Sequence, residues 1–182
     1  MRTGRWGFWL LMLSAVLAMT TGVNAVAAEP SETLATSASA PVALGAGPVS
    51  VTLAPPASGK ALSARLATVG ESRKVYLVAK GLGTDEPPET IYQIYLGLPP
   101  GAAPSPDAIY YVGSLNFFNS VGRGAATGQP DPRFLSFDVT ALLKTLRSRN
   151  SLGDDATVTI VPANKPRSSA KPVIAEIALV AQ

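Results

Sequence analysis

From residue 47 onward the apolar positions fall in short β-rich runs separated by proline and glycine, the pattern of strands. Residues 49–54 alternate Val, Ser, Val, Thr, Leu and stop at Pro55-Pro56. Residues 74–80 read Lys-Val-Tyr-Leu-Val-Ala-Lys, and Gly81 and Gly83 open the following turn. In residues 91–98, Ile91, Gln93 and Tyr95 share one face while Tyr92, Ile94 and Leu96 share the other. Pro99-Pro100-Gly101 ends that run, since proline cannot donate to a central ladder. Residues 109–118 predict a long aromatic strand and 133–138 a shorter one, and 157–161 and 173–180 complete the set. Residues 61–69 fit a strand through Leu62, Ala64 and Leu66, and fit a short helix nearly as well. Counting that run, about eight strands with regular turn signals predict an all-β fold, a single antiparallel β-sandwich of about seven to eight strands.

One stretch departs from the alternation. Residues 140–149 place Leu142, Leu143 and Leu146 at helical spacing, with Asp138 or Thr140 as N-cap and Gly153 past the end. They predict one short helix between two strands. Residues 29–46 are nearly all Ala, Ser, Thr, Pro, Gly and Glu without an aromatic side chain. Such a composition buries too little apolar surface to offset the entropy of ordering, and predicts a flexible linker ahead of a sandwich domain at 47–182.

The first 28 residues have the form of an export signal. Arg2 and Arg5 supply the positive start, residues 6–19 the apolar run, and Ala25-Val26-Ala27 or Val26-Ala27-Ala28 the small-residue exit, which predicts cleavage before Ala28 or Glu29. The run is short of the roughly 20 apolar residues of a membrane span, so no stable span is expected after cleavage. The chain is expected to be exported, to the periplasm or beyond. Without Arg2 and Arg5 the balance is 13 Lys+Arg against 12 Asp+Glu, a net charge of +1 in place of +3. No Lys/Arg stripe with interleaved aromatics accompanies it, so nucleic acid is not an expected partner. Lys144, Arg147 and Arg149 sit where cations complement a helix C-terminus.

Composition restricts the chemistry further. The sequence has no histidine and no cysteine, and its methionines and tryptophans all lie in the leader. Histidine is the commonest general base and metal ligand near neutral pH, and cysteine and methionine are the soft ligands for copper, zinc and iron-sulfur centres. The expectation is a chain that is not an enzyme, with no catalytic residues, no cofactor and no metal. Asp85, Glu86 and Glu89 crowd one loop but lack the alternating spacing of a calcium loop. Nothing beside Ser114 or Ser136 activates a serine.

Three blocks in order carry a family resemblance. They are Ile91-Tyr-Gln-Ile-Tyr-Leu-Gly-Leu-Pro-Pro-Gly101, Tyr111-Val-Gly-Ser-Leu-Asn-Phe-Phe118, and Phe137-Asp-Val-Thr-Ala-Leu-Leu-Lys-Thr-Leu146 followed by Thr157-Val-Thr-Ile-Val-Pro162. Together they resemble the β-sandwich domain that follows the dicopper domain in tyrosinases and plant-type polyphenol oxidases. The oxidase chemistry of that family belongs to an upstream histidine-rich helical domain, which this chain lacks, so the resemblance implies a freestanding C-terminal domain and no oxidase activity. What it does imply is a domain that packs on a copper oxidase and shields its entrance, in latent enzymes with a side chain placed over the site.

A shielding side chain is bulky, apolar and exposed at an edge or loop. Phe117 and Phe118 are candidates because consecutive strand residues face opposite ways, so only one of them can be core. Tyr110 is a candidate on the same grounds beside Tyr111, and Arg123 is the one cation of the Gly/Ala/Pro-rich stretch 119–132. The expected partner is a tyrosinase-family copper oxidase or another exported protein. The rival expectation is an envelope structural or glycan-binding module, which would need Tyr92, Tyr95 or Tyr110 exposed in a shallow groove for sugar stacking.

Overall fold

The apolar alternation becomes two antiparallel sheets packed face to face. The computed structural model describes residues 31–57, 59–118, 120 and 134–182. In chain order the elements are β1 (Glu32–Thr36), β2 (Val42–Ala43), β3 (Val49–Leu53), α1 (Leu62–Thr68), β4 (Val75–Gly83), β5 (Tyr92–Leu96), β6 (Tyr111–Leu115), β7 (Phe134–Asp138), α2 (Thr140–Ser148), β8 (Ala156–Pro162) and β9 (Val173–Ala181). One sheet runs β1-β9-β4-β7, with β2 also on β9, and the other runs β3-β8-β5-β6. The fold is therefore the expected antiparallel β-sandwich.

Alternate residues of each strand meet in the middle. Val75, Leu77 and Ala79 of β4 join Ile177 and Leu179 of β9 from one side, and Tyr92, Ile94 and Leu96 of β5 join Val158 and Ile160 of β8 from the other. At about 25 cal/mol per Å² of apolar surface, burial of this layer supplies the driving force that a chain without disulfides requires.

Two expectations need correction. The stretch expected to be a flexible linker, 29–46, carries β1 and β2, both paired with β9. Leu34 and Ala35 are fully buried, and Ser37 both donates its N–H to the Ile177 carbonyl at 2.8 Å and accepts the Ile177 N–H on its hydroxyl at 3.1 Å. Small residues need little area of their own when an existing strand edge supplies the backbone partners. The run 61–69, counted with the strands, is helix α1, so two helices are described where one was expected. A helix puts Leu62 and Leu66 on one face against the core and lets Arg65 reach Glu32 at 3.0 Å and the Thr33 carbonyl at 2.8 Å. Helix α2 forms as its spacing predicts, with Leu143 and Leu146 buried. Asp138 accepts the Thr140 N–H at 3.0 Å ahead of its first turn, although the N-cap position itself is Val139.

The two sides of the sandwich differ. At one, Thr36 and Ala54 exchange both backbone hydrogen bonds at 2.9 Å and tie the β1 sheet to the end of β3. At the other, β6 and β7 are the terminal strands of their sheets, and no strand pairs with their outer edges among the described residues.

Candidate functional site

The open side is built by residues of two separate sequence blocks. Gly113 on β6 and Phe137 on β7 face each other across the gap between the sheets, and a Cβ at Gly113 would lie 2.8 Å from the Phe137 ring. Glycine is required there because the ring takes the space a side chain would occupy. Below this contact opens a cleft of about 220 Å³, whose apolar walls include Leu82, Leu135, Phe137, Phe118 and Phe134. Ser114 and Ser136 also line it, and the Ser114 hydroxyl is shared with the Tyr111 hydroxyl at 2.8 Å.

The consecutive phenylalanines divide, one inward and one outward, although both lie beyond β6, which spans 111–115 and not the expected 109–118. Phe117 is buried, edge-on to Tyr92 with ring centroids 5.6 Å apart. Phe118 is 80% exposed at the lip of the cleft, and Phe134, on the outer face of its sheet, is 63% exposed. Tyr110 is half-buried and packs against the core, and Arg123 lies outside the described residues. Phe134 and Leu135 were not singled out from the sequence. The signal was available in the run Phe134-Leu-Ser-Phe137, where residues of opposite parity cannot both face a core.

Two of the three tyrosines expected to serve for sugar stacking are unavailable as platforms, while Tyr110 is half-buried. Tyr92 and Tyr95 are fully buried, and burial pushes both phenols above their ordinary range, with the neighbouring Tyr111 adding to the effect at Tyr95. Tyr95 lies on the outer side of its sheet but is covered, its ring 5.6 Å from Tyr111 and its hydroxyl donating to Gln93 at 2.7 Å.

The acids of loop 84–89 have structural partners. Glu89 and Glu86 are paired with Arg167, the latter at 3.8 Å, and Asp85 with Lys171 at 3.4 Å, so the acids of loop 84–89 tie it to loop 165–171. Among the described residues no group of acids is arranged to hold a metal ion. A second cleft, between α1 and α2, is lined by Arg73, Lys144 and Arg147. There Arg147 donates to the Leu66 carbonyl at 3.4 Å near the end of α1, and Arg73 donates to the Ala181 carbonyl at 3.0 Å. A third, of about 410 Å³, lies between Pro99-Pro100 and the hydroxyls of Ser50, Thr157 and Thr159, with no titratable side chain in its wall. Hydrogen bonds from the Thr140 hydroxyl and amide, then from Lys74, hold the Asp138 carboxyl below the usual carboxylate range.

Among the described residues these features define a sandwich with an apolar edge at β6 and β7. The chain belongs to the family described as a domain of unknown function, DUF7868, whose model matches residues 30–182. No curated protein matches it. Among solved structures it is similar to latent apple tyrosinase, with 19% identity, 78% of this chain and 27% of that one covered, and a TM-score of 0.49. It is likewise similar to latent aurone synthase, a polyphenol oxidase, with 19% identity, 76% and 24% covered, and a TM-score of 0.47. This chain thus spans about a quarter of the length of those oxidases.

Proposed function

We propose that this protein acts by contact and not by turnover: an exported, non-catalytic sandwich that docks on a tyrosinase-family copper oxidase and covers its entrance. The observation that carries the reading is Phe118, a large apolar ring standing 80% exposed at the open edge. It is the kind of side chain that can fill an apolar entrance, and it closes the Tyr111–Phe118 block on which the resemblance rests. Gly113 and Phe137, from two different resemblance blocks, lock together beside it. The absence of histidine and cysteine and the pairing of the loop acids with Arg167 and Lys171 support a non-catalytic role. Export through the leader would leave β1 almost at the new N-terminus, already seated on β9.

The test is a titration of the purified protein against a tyrosinase-family oxidase from the same source. Saturable binding that slows diphenol oxidation is expected, and Phe118→Ala should weaken it about tenfold or more, as for an interface anchor. No binding and no change in rate would remove the proposal. N-terminal sequencing of the exported form should read from Ala28 or Glu29, and an intact leader would contradict export by cleavage.

A further inference from the structure

Four strands end the two sheets, and they are not equally protected against pairing with another chain. The register of β1 on β9 shifts between Thr33 and Ala35, and that of β6 on β5 shifts opposite Ile94 and Tyr95, irregularities of the kind that twist an edge out of reach. The end of β3 is bridged through Ala54 to Thr36. Strand β7 has none of these devices. Its five residues, Phe-Leu-Ser-Phe-Asp, pair with β4 in unbroken register and include no lysine, arginine or proline.

Backbone hydrogen bonds fix which way its N–H and carbonyl groups point. Lys74 and Gln182 exchange N–H and carbonyl bonds at 2.8 and 2.9 Å, so the even residues of β4 turn toward β9 and the odd ones toward β7. Val139 donates to the Val75 carbonyl at 2.9 Å, which assigns Leu135 and Phe137 to β4. The N–H and carbonyl groups of Phe134, Ser136 and Asp138 therefore point outward, where no strand meets them among the described residues.

We propose that a second copy of this chain pairs with the outer edge of β7, antiparallel and centred on Ser136, to form a symmetric dimer with one continuous sheet. The edge is complementary to itself. In that register Ser136 meets the partner's Ser136, and Phe134 meets the partner's Asp138 in each direction, so all three outward residues find backbone partners. On the inner face Leu135 lies opposite the partner's Phe137 twice, apolar against apolar, which covers the mouth of the cleft. A five-residue edge covers less than the ~800 Å² per partner of a standard stable complex, so the dimer dissociates in the micromolar range. This pairing involves no oxidase and stands or falls separately from the contact function above.

Sedimentation velocity of the purified protein from about 1 to about 500 μM tests it, the range spanning a micromolar equilibrium. A monomer that converts to dimer across that range is expected. Ser136→Lys puts two like charges face to face on the two-fold axis, and Ser136→Glu does the same, so each variant alone should stay monomeric while their equimolar mixture dimerises. Ser136→Pro removes an outward N–H without breaking the β4 ladder and should also stay monomeric. A wild type that is monomeric throughout, or a dimer that the Lys and Glu variants form equally well alone, would overturn the proposal.

Discussion

Tyr92 and Tyr95, three positions apart on one strand, show how differently two buried phenols can be treated. Tyr95 donates its hydroxyl to Gln93 at 2.7 Å, whereas the buried Tyr92 hydroxyl has no hydrogen-bond partner among the described residues. A buried polar group left unpaired costs about 1–3 kcal/mol, so removing it should help. Tyr92→Phe keeps the edge-on contact with Phe117 and should raise the unfolding free energy by about 1 kcal/mol, read from denaturant melts. A lower stability would mean that the hydroxyl has a partner. Phe117, the ring partner of Tyr92, is buried, while the next residue, Phe118, is exposed.

At the scale of elements, β1 is held by its neighbours rather than by its own composition. Leu34 is its one large anchor, and Leu34→Ala should lower the unfolding free energy by about 3 kcal/mol, as for other buried leucines. A change within the error of the melt would return residues 32–36 to the status of a linker. Before α2, the folded Asp138 carboxyl sits below its unfolded value, so its contribution is present above the unfolded pKa and lost as pH falls through the folded one. Both Asp138 and its partner Lys74 are exposed, so solvent screening keeps the effect small. Asp138→Asn keeps an acceptor for the Thr140 N–H and removes the charge. It should therefore lose less stability than wild type between pH 7 and pH 3, and equal losses would contradict the assignment. Helix α2 was legible from its 3.6 period and β3 and β8 from alternation, while β4 to β7 and β9, with apolar residues at both parities, were legible from their apolar content and the turn residues around them. Helix α1 was ambiguous because Leu62 and Leu66 share a face under either period. Strand β1 was hidden because its support is distant: Ser37 meets Ile177 140 residues along the chain. At the candidate site Phe117 and Phe118 were legible as a pair, while Phe134 and Leu135 emerged only once β7 was seen to end its sheet.

Among the described residues the molecule is asymmetric, tied on the Thr36–Ala54 side and without a strand on the outer edges of β6 and β7, and its large exposed phenylalanines, Phe118 and Phe134, stand at the latter side. Contact function and self-pairing both draw on that side, so concentrating the protein should reduce the fraction able to dock. The most direct measurement is the rate of diphenol oxidation by a tyrosinase-family oxidase as this protein is added at low micromolar concentration. The account predicts a saturable fall in rate for wild type that Phe118→Ala shifts to about tenfold higher concentration. A rate that stays constant, or that wild type and Phe118→Ala lower alike, would contradict it.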